Sequence, residues 1–233
     1  MSNDPHSSRG DQTREALLRA AIEVFGHDGY HAASTRAIAA AAGVNQALIG
    51  YHFGGKQGLY LAAFESIREQ VGARMSPLAQ ALLSELTALD PQDPATPAHC
   101  VASMEALLGA ALELFCQASS SPWVRLIMRE QLDPDQGFEI LYRGVFGDVL
   151  ALLNALVGLA TQRDAHCEAV KLEALMLLGM MLVFLVARGT TAQQLGWTEL
   201  GTARIDAVKQ QLGAHLRARF AAASVGSLSG EPG

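Results

Sequence analysis

Histidine and cysteine are the side chains that first invite a chemical reading of this sequence, since both ligate metals and both titrate or react near neutral pH. His27 and His31 stand four apart, a spacing that would align two imidazoles on one helical face. Asp28-Gly29 interrupts any helix between them, so a metal pair is not expected. His99-Cys100 and His166-Cys167 repeat a His-Cys step. No CxxC or HExxH accompanies either, and a buried cysteine ordinarily behaves as a small apolar residue. The sequence has no Ser-His-Asp pattern and no glycine-rich phosphate loop. The expectation is a protein without metal, cofactor or catalytic centre.

A different chemistry is written in Gly43 to Tyr60, GVNQALIGYHFGGKQGLY. The chain carries 23 acidic and 17 basic residues, yet neither Asp nor Glu occurs from Gly29 to Phe64. A surface free of carboxylates suits an approach to phosphates. Ile38, Val44, Leu48, Ile49 and Phe53 can lock two short helices together through a small core. The outward positions Asn45, Gln46, Ala47 and Gly50 are short or neutral and permit close approach to base edges, and glutamine can pair with adenine bidentately. Lys56 would open a helix, where a cation opposes the dipole, so an external anion accounts for it better.

The elements that must position these residues are helices. Half the residues are hydrophobic, Ala and Leu dominate, and the 8 prolines gather at apparent breaks, which points to an all-α protein. An amphipathic helix covers Asp11–His27, stopped by Asp28-Gly29. Ser34 caps a second through Ala42, Gly43 breaks the chain, and Asn45 caps a third to about His52. Gly54-Gly55 ends that helix, and a long fourth runs from about Lys56 into the eighties. After DPQDPATP, helices are expected over Ala98–Ala118, Trp123–Leu132, Phe138–Leu159, Ala165–Ala187 and Thr198–Ala223.

Helix, glycine turn, short helix is the pattern of a helix-turn-helix, whose second member enters a DNA major groove. With TRAIA (Thr35 to Ala39), AGV (Ala42 to Val44) and YHFGGKQGLY (Tyr51 to Tyr60), the N-terminal part resembles the TetR family of transcriptional repressors. VRLIMRE (Val124 to Glu130), a following Asp-Pro and FEILY (Phe138 to Tyr142) resemble the C-terminal domain of its CecR (CerR) branch. The resemblance implies DNA contacts at Thr35, Arg36, Gln46, Ala47, Leu48, Tyr51, His52 and Lys56. Gly50 departs from it, because many members place Tyr there. It also implies a tail over 1–10, a DNA-binding domain over 11–56, a ligand-binding and dimerising helical domain over 57–223, and a C-terminal tail over 224–233.

Within that second domain, Met104, Phe115, Trp123, Met128, Arg129, Tyr142, Phe146, Met180 and Phe184 are candidates for an adaptable apolar pocket. Arg129 would face an anionic ligand group or pair structurally with an acid. The helix over Ala165–Ala187 is apolar on nearly every side and demands burial all round. With the stripe Ile205, Val208, Leu212, Leu216 and Phe220, its Leu175, Met176, Leu182 and Val183 would form a homodimer interface.

The apolar run Ala174 to Ala187 is shorter than the roughly 18–20 residues a bilayer span needs. The N-terminus has no apolar segment of signal-peptide type, and three irregularly spaced cysteines suit a reducing cytosol. No membrane association is expected, and the cytoplasm is the expected location. The leading expectation is therefore a homodimeric repressor on a palindromic double-stranded operator, released by a small hydrophobic or drug-like effector. Two alternatives stand beside it: a DNA-binding regulator controlled by a protein partner, and an all-helical small-molecule-binding protein or enzyme in which the motif is incidental.

Overall fold

The computed structural model describes residues 9–117 and 121–221, and the described residues are helical throughout, without a strand. The tails expected over 1–10 and 224–233 fall almost wholly outside them. The elements are α1 (Arg9–Ala32), α2 (Thr35–Ala42), α3 (Ala47–Phe53), α4 (Lys56–Ala88), α5 (Thr96–Cys116), α6 (Ser121–Leu132) and α7 (Gln136–Leu141). After one π-helical turn (Tyr142–Phe146) come α8 (Gly147–Thr161), α9 (Glu168–Val186), α10 (Arg188–Leu195) and α11 (Thr202–Ala221). Two details depart from the sequence expectation. α10 is an additional helix in a stretch expected to lie between two others, and the single helix expected over Phe138–Leu159 is divided into α7, the π turn and α8. α4 runs into the eighties as expected, with Pro77 in its interior.

The chain divides into two compact units, and the division is not a single cut near residue 56. One unit holds α1 to α3, α4 as far as Val71, α6, α7 and the π turn to Gly144. The other holds α4 from Gly72, α5, and the chain from Val145 through α11.

In the first unit the start of α4 explains the sequence GGKQGLY. Gly54 closes α3 in the left-handed region (φ 72°), its N–H bonded to Gly50 O. A Cβ at Gly58 would lie 1.8 Å from Phe53 O, so no other residue fits where α4 begins against the end of α3. The core here is aromatic. Tyr60 stands edge-on to Phe25 at 5.0 Å and to Phe64 at 5.0 Å, with Tyr30 at 4.8 Å.

Two neighbouring charged residues of α6 brace this unit. Arg129 donates from Nε to Gly26 O (3.2 Å) and from Nη2 to His27 O (2.6 Å). Those carbonyls close the regular part of α1, which breaks at Gly29 (φ 81°, ψ 170°), and a cation at a helix C-terminus is favourable. Arg129 thus clamps the backbone carbonyls at the end of α1. Glu130 is only 4% exposed. Its carboxylate accepts from Tyr60 Oη (2.5 Å), Phe138 N (2.8 Å) and Asp135 N (3.2 Å). Burial first, and the hydrogen bond to Glu130 second, push the Tyr60 phenol far above its ordinary pKa, so it stays a donor at physiological pH.

The second unit is organised on α5, which packs against α11, α8 and α9. Cys100, Met104, Leu107, Leu108 and Leu112 of α5 are buried. The α11 stripe Ile205, Val208, Leu212, Leu216 and Phe220 is buried as well, at 0–8% exposure. This corrects the assignment of that stripe to a subunit interface: it packs within its own chain. Flanking ion pairs fix the register, Arg217 to Glu105 (2.6 Å), Arg219 to Glu173 (2.7 Å) and Lys209 to Glu113.

α9 is covered by its own chain on one side only. Val170, Ala174, Leu177, Met181 and Leu185 are buried, whereas Leu172, Leu175, Met176, Val183 and Val186 are exposed. Three helical stretches, Thr96–Cys116, Gln136–Thr161 and Glu168–Val186, are long and apolar enough to cross a membrane by length and composition, which the apolar run alone does not suggest. In the first of them most of that surface is buried within the chain.

The Glu130 brace carries a direct prediction. Glu130→Gln leaves one oxygen for three donors and sets an amide N–H among them. It should lower stability by about 2 kcal/mol, read as a shift of the urea midpoint at constant m. An unchanged midpoint would show that the carboxylate is not what holds Tyr60 and α7.

Candidate nucleic-acid interface

The helix-turn-helix is built from local hydrogen bonds that the sequence dictates. Ser34 Oγ accepts from Ala37 N at 3.1 Å and starts α2. Gly43 ends it in the left-handed region (φ 69°, ψ 29°), its N–H turned back to α2 carbonyls, and Val44 N reaches Ala39 O at 3.0 Å. Asn45 Oδ1 accepts from Ala47 N at 2.8 Å and opens α3. Ser34 caps α2 as expected, whereas the N-cap position of α3 is Gln46, which makes no side-chain capping bond, and Asn45 acts from one residue earlier.

Packing then decides which faces remain outside. Ile38 and Ile49 are fully buried, and Val44, Leu48 and Phe53 are half-buried. The guanidinium of Arg14 covers the Phe53 ring at 5.4 Å. Outward from this small core project Arg36, Gln46, Ala47, Gly50 and Tyr51, the last 82% exposed. Gln46 Nε2 donates to Thr35 Oγ1 at 2.9 Å, joining the starts of α2 and α3 and holding the amide oxygen in a fixed direction. His52 is half-buried and edge-on to Tyr51, with ring centroids 4.9 Å apart.

Lys56 has a partner that its sequence position does not reveal. Its Nζ donates to His31 O at 3.3 Å and sits 4.7 Å from the centre of the Tyr30 ring. The ammonium thus answers the end of α1 and an aromatic face as well as any external anion. The eight residues expected at DNA therefore fall on α2, α3 and the first turn of α4. Arg36, Gln46, Ala47 and Tyr51 are fully outward, Thr35, Leu48 and His52 half-buried, and Lys56 tied back. A face with one guanidinium, one phenol, one amide and no carboxylate can donate to phosphate oxygens and read a base edge.

The residues expected to line an effector pocket divide between the two units. Trp123, Met128, Arg129 and Tyr142 belong to the first, and Met104, Phe115, Phe146, Met180 and Phe184 to the second. Trp123 and Met104 are buried, while Tyr142 is exposed and stacked on Phe138 at 5.6 Å. Phe184 lines a cavity of the second unit. The His-Cys steps do not assemble. Cys100 and Cys116 are buried, and among the described residues no group of three His, Cys, Asp or Glu side chains could hold a metal. His27 pairs with its neighbour Asp28 at 2.6 Å. Sequence reasoning missed Tyr60 and Glu130, because a hydrogen bond between residues seventy positions apart leaves no periodic signal.

Known proteins place this geometry. Residues 17–63 match the tetR family of bacterial regulatory proteins, and residues 100–223 match the C-terminal domain of the HTH-type transcriptional dual regulator CecR. CecR of Shigella flexneri is 30% identical over 219 residues, 93% of this chain and 95% of that protein. The HTH-type transcriptional regulatory protein RaaS of Mycobacterium tuberculosis is 40% identical over 87 residues, 37% of this chain and 36% of that one. The fold is shared with a transcriptional regulator from Pseudomonas aeruginosa PAO1 (TM-score 0.61, 17% identity, 94% and 95% of the two chains). It is shared also with AibR, solved with isovaleryl coenzyme A and operator DNA (TM-score 0.61, 16% identity, 87% and 97%). The chain belongs to the TetR family of bacterial transcriptional regulators and carries a C-terminal domain of the CecR type.

Proposed function

We propose that this regulator acts as a homodimeric repressor that sits on a palindromic operator in the cytoplasm and leaves it when a small molecule binds the C-terminal helices. The observation that carries the reading is the exposed face of α2 and α3. An acidic chain keeps carboxylates off this face and holds Gln46, Arg36 and Tyr51 outward. Residues 11–56 would do the reading, and residues 57–223 would bind effector and partner.

Gln46 is the base-reading residue in this proposal, its amide aimed by the bond from Nε2 to Thr35. Thr35, Arg36, Tyr51 and His52 serve the sugar-phosphate backbone, Ala47 and Leu48 allow close approach, and Lys56 supports the turn between α3 and α4. The relative AibR, solved with both an acyl coenzyme A and operator DNA, supports control by a small molecule. Among the pocket candidates, Met104, Phe115, Phe146, Met180 and Phe184 are favoured, because all lie in the unit that α5 organises. α4 runs continuously from the reading head into that unit. A ligand preference of about 1–3 kcal/mol for one conformation is enough to change operator occupancy.

The dimer surface proposed here is α9, through Leu175, Met176, Leu182 and Val183. An isologous contact of that kind would place two reading heads on two half-sites. Because Met176 is 65% exposed and apolar, Met176→Glu should turn a dimer into a monomer at micromolar concentration, read by light scattering. A dimer that persists unchanged would move the interface elsewhere.

Two further variants separate base reading from phosphate contact. Gln46→Ala should flatten the difference between operator and scrambled duplex. Arg36→Ala should weaken both equally and reduce the salt slope by about one. A Gln46→Ala protein that loses the same factor on every sequence would exclude base readout.

A further inference from the structure

The second unit contains a cavity of about 420 Å³ that the operator-binding account does not use. Its wall is built from Cys116 at the end of α5, Phe184 of α9, Arg188 and Thr191 of α10, and Trp197 and Leu200 of the loop after α10. Space of this size corresponds to roughly fourteen water molecules at about 30 Å³ each. Most of the surface is apolar, with a small number of polar groups gathered around one cation, which is how ligand sites are ordinarily composed.

Arg188 is the unusual member. It is half-buried, and among the described residues it forms no ion pair, whereas Arg68, Arg125, Arg143, Arg217 and Arg219 each have a carboxylate partner. Its one hydrogen bond, Nη2 to Phe115 O, is 3.5 Å long. A guanidinium presents five donors, so most of its hydrogen-bonding capacity is unanswered by the protein. It also stands at the first position of α10, where the positive end of the helix dipole adds to its charge instead of offsetting it. Cys116 supplies no counter-charge, because burial pushes its thiol up to about 11 despite the opposing pull of Arg188. A second cation lies nearby, Arg204, 5.5 Å from the centre of the Trp197 ring. One acid, the exposed Glu199, belongs to the lining.

α10 adds an independent observation. This eight-residue helix buries none of its own side chains, and its sequence, RGTTAQQL, offers little to bury. Helices this short are unstable on their own and take their stability from packing. A ligand in the cavity would supply that packing through Thr191 and Arg188.

We propose that this cavity binds a small carboxylic acid with an apolar or aromatic body, the carboxylate on the Arg188 guanidinium and the body against Phe184 and Trp197. The planar fork of arginine matches two carboxylate oxygens. The uncharged remainder of the wall, and Glu199 with it, disfavours a second negative charge. This inference rests on the reading that a small molecule controls the C-terminal helices, and it gives that molecule a site and a chemical class.

The test uses full-length protein without DNA, so that it stands apart from operator release. Calorimetric titrations with 4-phenylbutyrate and octanoate, and with their neutral amides, should show one acid bound per chain and at least tenfold weaker binding of each amide. Arg188→Gln should abolish the difference between acid and amide, and Arg188→Lys should restore part of it. Thermal melts followed by circular dichroism report whether each variant is folded, and Phe184→Leu, with its smaller change in volume, should weaken acid and amide alike. Binding of neither acid at millimolar concentration, or equal acid binding by wild type and folded Arg188→Gln, would overturn the proposal. If the acids bind as expected but leave operator affinity unchanged in a separate anisotropy titration, the site stands, and it is induction through this site that fails.

Discussion

The reading face exists because a very small helical core is held from behind. α2 and α3 together contribute only Ile38, Ala39 and Ile49 as fully buried residues, too little apolar surface to fix two helices by themselves. The deficit is met by α1, which packs against α2 on one side and α6 on the other. Arg129 closes the carbonyl end of α1, and Glu130 gathers Tyr60 and the start of α7. Leaving any one of these buried donors or acceptors unpaired costs more than the net gain of an ordinary hydrogen bond. That asymmetry makes adjacent charged residues on α6 good at enforcing one arrangement.

Electrostatics then separates the surfaces by function. The chain is acidic overall, with a net charge of −6. Six of its carboxylates, Glu23, Glu65, Glu105, Glu113, Glu139 and Glu173, pair with arginine or lysine. From Gly29 to Phe64 there are none. A net negative protein with one carboxylate-free face approaches nucleic acid in one orientation and avoids indiscriminate coating. The exposed apolar residues of α9 are the counterpart on the other unit. They leave a strongly apolar helix only partly covered by its own chain, the face proposed above as the dimer surface.

What the sequence disclosed follows from the range of the interactions involved. Caps and glycine turns act over three or four residues, so Ser34, Gly43, Asn45 and Gly54 marked the helix-turn-helix without any tertiary knowledge. Which side chains face outward followed from the same short-range geometry, and Gln46, Ala47 and Tyr51 are where the period puts them. The stripe on α11 illustrates the boundary. Ile205, Val208, Leu212, Leu216 and Phe220 announce a buried face in their spacing, but spacing says nothing of what buries it, and α5 of the same chain does. α10 was hidden for the opposite reason, having no apolar period to read. Lys56, Arg129 and Glu130 found backbone and phenol partners that only the folded chain brings near, and the division of α4 between two units has no local signature at all.

The central claim is that the exposed, carboxylate-free face of α2 and α3 is what meets DNA. The most direct measurement compares wild type with Tyr51→Glu on a duplex carrying the operator, by fluorescence anisotropy across a salt series. Tyr51 is almost fully exposed, so a carboxylate there leaves the core undisturbed and places a negative charge against the phosphates. The account predicts a steep fall of wild-type affinity with salt, and a loss of at least tenfold for Tyr51→Glu that is greatest at low salt. Equal affinities for the two folded proteins across the series would contradict it.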